Sequence, residues 1–171
     1  MTTAASSAYR PTRHRLFLSC ATLAIAAGAL APQRVKAQAF QGTPTTAAGI
    51  VNYNRQTTGV ETITVGSTTA TINWAPSDVQ GTGNINFLPT GNTATYQGDV
   101  GVTGYTVLNR IVPTDPSRAI ELNGSVLAKL AGGATGGNVW FYSPGGIVVG
   151  AQATFALKDR KGPDGKEPRR A

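Results

Sequence analysis

The sequence predicts an all-β fold, and three observations predict it. From Phe40 to Leu157, 46 of 118 residues are Gly, Thr or Asn, types that turn the chain or favour strands; Lys and Glu, the charged helix formers, occur there only as Glu61, Glu121 and Lys129. From Gly136 to Phe155, in GGNVWFYSPGGIVVGAQATF, short apolar runs are broken by Gly, Pro or Ser every five to eight residues, too often for any helix. Two stretches alternate strictly. In ATINW, Ala70, Ile72 and Trp74 share one face, and in NINF, Ile85 and Phe87 do, which is the pattern of half-buried strands.

Taken in order, the expected strands are 62–65, 70–74, 84–88, 105–110, 119–122, 125–130, 139–142, 147–149 and 153–156. The segment 125–130 also admits a single helical turn, but Gly132-Gly133 ends it far below the length of an independent helix. Between 119–122 and 125–130, Asn123-Gly124 is a hairpin signal through its tolerance of a type I′ turn, and equally a corner between successive solenoid strands. Short strands with frequent turns fit a sandwich, a barrel or a β-solenoid. No short repeat recurs exactly, which leaves the choice open.

Both ends differ from this body. Arg10 to Arg15 form a basic region, Leu16 to Leu30 a run of 15 almost wholly apolar residues, and Ala37-Gln38-Ala39 a small-x-small site. That is the layout of a secretory signal peptide over residues 1–39, cut before Phe40. A membrane anchor needs about 20 apolar residues, more than this run supplies before Pro32, Arg34 and Lys36. From Lys158 the chain reads LKDRKGPDGKEPRRA without its leading Leu, a charged tail over 158–171 with the composition of disorder. The expected organisation is therefore signal peptide 1–39, folded domain 40–157 and tail 158–171.

Charge follows the same division. The net charge is +7, but residues 1–39 carry +5, the tail +3 and the body −1. A phosphate-tracking surface needs its charge on the folded body, so no nucleic-acid partner is expected. Removing the leader removes Cys20 and His14, the only Cys and His. The mature chain then lacks the imidazole and thiolate of a zinc site and the His base of a Ser-His-Asp or Cys-His mechanism. No enzyme activity and no cofactor are expected.

Other signals have ordinary readings. GGATGG at 132–137 lacks the Lys-Ser/Thr of a phosphate loop and reads as an inter-strand loop. The body acids Glu61, Asp78, Asp99, Asp115 and Glu121 lie 6 to 21 residues apart and read as solvated turn positions rather than a calcium or paired-carboxylate site. Asp115-Pro116-Ser117 reads as a turn. Trp74 and Trp140 read as core or stacking residues, and Asn123-Gly124-Ser125 as a turn rather than a glycan acceptor.

Three ordered segments carry a resemblance: ATINWAPSDVQGTGNINF with Trp74, VLNRIVPTDPSRAIELNGSV with Asn109, Arg110, Asn123 and Gly124, and SPGGIVVGAQATF with Ser143, Pro144, Gly145, Gly146 and Ile147. Over about residues 50–155 the chain resembles the amino-terminal two-partner secretion domain of filamentous haemagglutinin-type exoproteins. Ser143 and Gly145 stand where that family commonly has Asn. The resemblance implies the start of a right-handed parallel β-helix with extra hairpins, incomplete in this chain. It also implies recognition by the periplasmic polypeptide-transport domains of an outer-membrane two-partner transporter, with residues 143–147 as the turn motif. The product is then secreted or held at the cell surface as an adhesin, binding a host or surface receptor that the sequence does not specify, or periplasmic where transport fails. Two other classes stay open: a polysaccharide-active β-helix lyase or hydrolase, and a periplasmic or outer-membrane structural β-protein.

Overall fold

A computed structural model describes residues 38–77 and 81–157. The leader up to Ala37, Asp78 and the tail from Lys158 lie outside the described residues. The described chain forms twelve strands and no helix: β1 Gly42–Ala48, β2 Val51–Thr57, β3 Val60–Val65, β4 Thr69–Pro76, β5 Ile85–Leu88, β6 Thr93–Gly98, β7 Thr106–Ile111, β8 Ile120–Leu122, β9 Ser125–Lys129, β10 Asn138–Tyr142, β11 Ile147–Val149 and β12 Thr154–Ala156.

Three sheets hold these strands, in the orders β1-β4-β7-β10, β11-β8-β5 and β12-β9-β6-β3-β2. From β3 onward, consecutive strands lie in different sheets, and every third strand returns to the same sheet in parallel. Val60, Thr93, Ser125 and Thr154 stack in one ladder, and Thr69, Thr106 and Asn138 in a second. The third stacks Ile85, Ile120 and Ile147. This all-β fold with parallel ladders is compatible with a β-solenoid. Successive isoleucines of the third ladder are 35 and 27 residues apart, so loops of unequal length hide the repeat from sequence inspection.

All nine expected strands are present, with ends shifted by up to two residues. Residues 125–129 are strand, not a helical turn. Asn123-Gly124 turns a corner: β8 and β9 belong to different sheets and do not pair. Neither residue adopts positive φ, so the turn is not type I′. The hairpin instead joins β2 to β3, around Gly59 at φ 71°. β1, β2 and β6 lie outside the sequence expectation.

Inward alternation makes the core. Ile63 and Val65 of β3, Ala70, Ile72 and Trp74 of β4, Ala94 and Tyr96 of β6, Val107 and Ile111 of β7, and Val126 and Ala128 of β9 are all buried. The two ends of the ladders differ. At the first, β1 runs antiparallel along β4, β2 runs antiparallel along β3, and Gln41 donates its backbone N–H to Phe87 O of β5 at 2.8 Å. All three sheets thus start under a cover. At the other end, β10, β11 and β12 are edge strands with no further strand beyond them among the described residues.

Candidate functional site

The covered end contains a buried ion pair. Alternation in VETITV turns Glu61 inward with Ile63 and Val65, and its side chain is 0 % exposed. Glu61 is therefore a core residue, not the solvated turn position expected of it. β2 supplies the counter-ion across the hairpin: Arg55 Nε lies 3.0 Å from Glu61 Oε1, as an ion pair without hydrogen-bond alignment. Arg55 Nη2 donates to the carbonyls of Phe40 and Gly42, both at 2.8 Å, and the guanidinium sits 5.5 Å from the centre of the Trp74 ring. Phe40 N–H donates to the other oxygen, Glu61 Oε2, at 3.3 Å. Burial pushes the Glu61 carboxyl above its ordinary range, with Arg55 and the Phe40 N–H pulling it back. Burial likewise lowers Arg55, and Glu61 opposes that.

Phe40 is the hub of the aromatic core. Its ring stacks on Phe87 at 5.0 Å and meets Trp74 edge-on at 5.0 Å, with Tyr96 at 6.5 Å and Phe141 at 6.0 Å. Of the residues flagged by sequence, Trp74 and Asn109 come together here. Trp74 Nε1 donates to Asn109 Oδ1 at 3.0 Å, Tyr96 donates its hydroxyl to the same oxygen at 2.7 Å, and Asn109 Nδ2 donates to Trp140 O at 3.1 Å. The buried amide thus ties three turns of chain together with its oxygen fully used.

The remaining flagged residues lie apart from this centre. Arg110 points outward and lines an open groove of about 300 Å³ with Thr43, Thr45, Asn73, Trp74, Ala75 and Val112. At the Asn123-Gly124 corner, Asn123 N and Gly124 N donate to Leu88 O, and Ser125 N donates to Asn92 O. A Cβ on Gly124 would lie 2.5 Å from Asn92 O, so close stacking of one corner on the next requires glycine there. Residues 143–147 form the turn into β11. Gly146 N donates to Ser143 O at 3.2 Å, Gly146 adopts φ 88°, and Ile120 N donates to Gly146 O at 3.0 Å. Gly145 has another reason to be glycine: a Cβ there would stand 2.2 Å from Arg118 O. Ser143 is buried, and its Oγ has no hydrogen-bond partner. Ala39 and Phe40, which flank the expected cut, are both fully buried, and Ala37 lies outside the described residues.

The other described acids behave as turn or surface residues. Asp115 Oδ1 accepts from Ser117 N at 3.0 Å and Ser117 Oγ at 2.6 Å, and these bonds lower its pKa. Asp99 Oδ1 accepts from Val100 N, and Glu121 accepts from the side chains of Asn84 and Asn123. Among the described residues no three of His, Cys, Asp or Glu gather as metal ligands. The Gly132–Gly137 segment forms turns, with Gly133 and Gly137 at positive φ. Sequence reading missed Arg55 and Asn92, and it read the 38–41 segment only as a cut site, not as part of the core. No motif marks Arg55 or Asn92, although an acid at an inward position of VETITV was a usable signal for a buried partner.

At the uncovered end, Trp140 is 62 % exposed, and Tyr142, Val148, Val149 and Phe155 also face solvent. Trp140 is thus a surface residue rather than core. Comparison with known proteins adds no relative: no family model, no curated protein and no solved structure matches the chain.

Proposed function

We propose that the chain is an exported, non-enzymatic domain that starts a right-handed parallel β-helix of the filamentous haemagglutinin, two-partner secretion kind. One observation carries this reading: the three parallel ladders begin under strands β1 and β2 and the Gln41 segment, and end on β10, β11 and β12, each paired on one side only among the described residues. Such a domain grows in one direction only, coil upon coil with strands about 4.8 Å apart. A chain of this kind crosses an outer-membrane pore unfolded and stacks outside. The periplasmic polypeptide-transport domains of a two-partner transporter are its first partner, and the Ser143–Ile147 turn is part of what they read. The expected amino-terminal leader delivers it across the inner membrane.

Co-expression of the full chain with the two-partner transporter encoded nearest to it tests the reading. The chain is expected in the medium or on the cell surface with the transporter, and in the periplasm without it. Gly146→Val is expected to reduce capture by the transporter's periplasmic domains, while Arg169→Glu leaves it unchanged. Release that ignores the transporter, or capture lost with Arg169→Glu alone, contradicts the proposal.

A further inference from the structure

We propose that the exported chain is cut between Ala37 and Gln38, so that Gln38 and Ala39 remain as the first residues of the folded domain. The inference rests on the export step of the proposed function but not on the transporter. Two sites offer small residues at the required spacing: Ala37-Gln38-Ala39 before Phe40, and Val35-Lys36-Ala37 two residues earlier. Sequence alone favours the first, and the structure discriminates between them.

A cut before Phe40 damages the covered end in three ways. Asn92 Nδ2 donates to Gln38 O at 3.2 Å and to Ala39 O at 3.1 Å, and it loses both acceptors. Ala39, 0 % exposed and packed in the core, is removed, leaving a void. The new α-ammonium forms at Phe40 N, which in the intact chain donates to the buried carboxylate of Glu61 and lies beside a carbonyl that already accepts from Arg55. Two cations would then share one carboxylate, Glu61, whose side chain is fully buried. A buried charge in excess of its partners is costly.

A cut before Gln38 avoids all three. Asn92 keeps both carbonyls, Ala39 keeps its place, and Phe40 N stays a neutral amide donating to Glu61. The new ammonium forms on Gln38, which is half-exposed and can remain hydrated. The step is a hydrolysis by the exporting cell's membrane signal peptidase: water adds across the Ala37–Gln38 peptide bond, leaving a carboxylate on Ala37 and an amino group on Gln38. The enzyme acts on the translocating chain, so burial of Ala39 in the finished fold does not impede it. Burial instead decides which product folds without loss.

Peptide mass spectrometry of the translocated product of the full 171-residue chain tests this, alongside Ala37→Arg and Ala39→Arg. The expected product begins at Gln38. Ala37→Arg should abolish that cut, and Ala39→Arg should leave it in place, whether or not the variant then folds. A product beginning at Phe40, with cleavage lost on Ala39→Arg, overturns the inference while leaving export intact. An uncut chain retained in the cytoplasm overturns the export reading and the inference with it.

Discussion

The two ends of the ladders are built from opposite materials. At the first end, the outermost strands are β1, which carries Pro44, and β2, with Asn52, Asn54, Arg55 and Gln56. Proline cannot donate to a neighbouring strand, and charged or polar side chains discourage one, so these edges resist further pairing. Beneath them lie the Phe40 cluster and the Arg55–Glu61 pair. At the far end β10, β11 and β12 have one free edge each among the described residues, with exposed Trp140, Tyr142, Val148, Val149 and Phe155. One end is covered, and the other shows open edges among the described residues. Stability should therefore concentrate at the first end, and self-association at the last.

The largest effects should come from opening the covered end. Phe40→Ala removes the hub ring and should cost about 3–5 kcal/mol. Glu61→Ala strands Arg55 in a largely buried position and should also cost about 3–5 kcal/mol. Each is a large share of a typical domain stability of about 5–15 kcal/mol, and chemical denaturation of the purified protein measures both. Losses below 1 kcal/mol would remove the distinction between the ends.

A step smaller are the glycines of the turn that leads to the open end. Gly145→Ala must move the Arg118 backbone and should cost about 1–3 kcal/mol. Gly146→Ala has open space for its Cβ but keeps φ at 88°, and should cost about 1–2 kcal/mol. The same denaturation curves should therefore rank Gly145 above Gly146.

A pH series sharpens the electrostatics of the first end. Because burial raises the folded-state pKa of Glu61, the native state holds this proton more tightly than the unfolded chain does. Its contribution is then most favourable below the ordinary carboxylate range and is lost as pH rises through the raised pKa. The stability difference between wild type and Glu61→Gln should shift against wild type over that rise. A shift in the opposite sense would mean that the pairing with Arg55 outweighs desolvation.

The smallest stability changes belong to the far end. Trp140→Ser and Val149→Ser should each lie within about 0.5 kcal/mol of wild type, yet reduce concentration-dependent association measured by sedimentation. Association that persists unchanged would locate the sticky surface elsewhere.

Legibility in the sequence follows the same physics. Strands with bulky inward residues, such as ATINW and NINF, announce themselves by alternation. β1 and β6, TPTTAA after Gly42 and TATYQG, place Ala94, Tyr96 and Gly98 or only small residues inward, so their period is present in burial but faint in hydropathy. β2 is an edge strand whose polar residues serve to end the sheet, and therefore reads as loop. Trp74 and Asn109 were flagged through motifs and do meet, whereas Arg110 and Asn123 share those motifs but stand on the outside and at a corner. Glu61 was misplaced because a count of scattered acids ignores which strand face each one occupies. Its partner Arg55 lies on a strand that gave no signal.

Native-state hydrogen exchange read by mass spectrometry tests the asymmetry of the ladders most directly. Amides of β3, β4 and β6, beneath the cover, should exchange only through global unfolding, while those of β10, β11 and β12 should exchange earlier through local opening. Destabilising the cover with Phe40→Ala should erase the gradient. Equal protection at both ends, or stronger protection in β10 to β12, would contradict a stack that is closed at its start and open at its end.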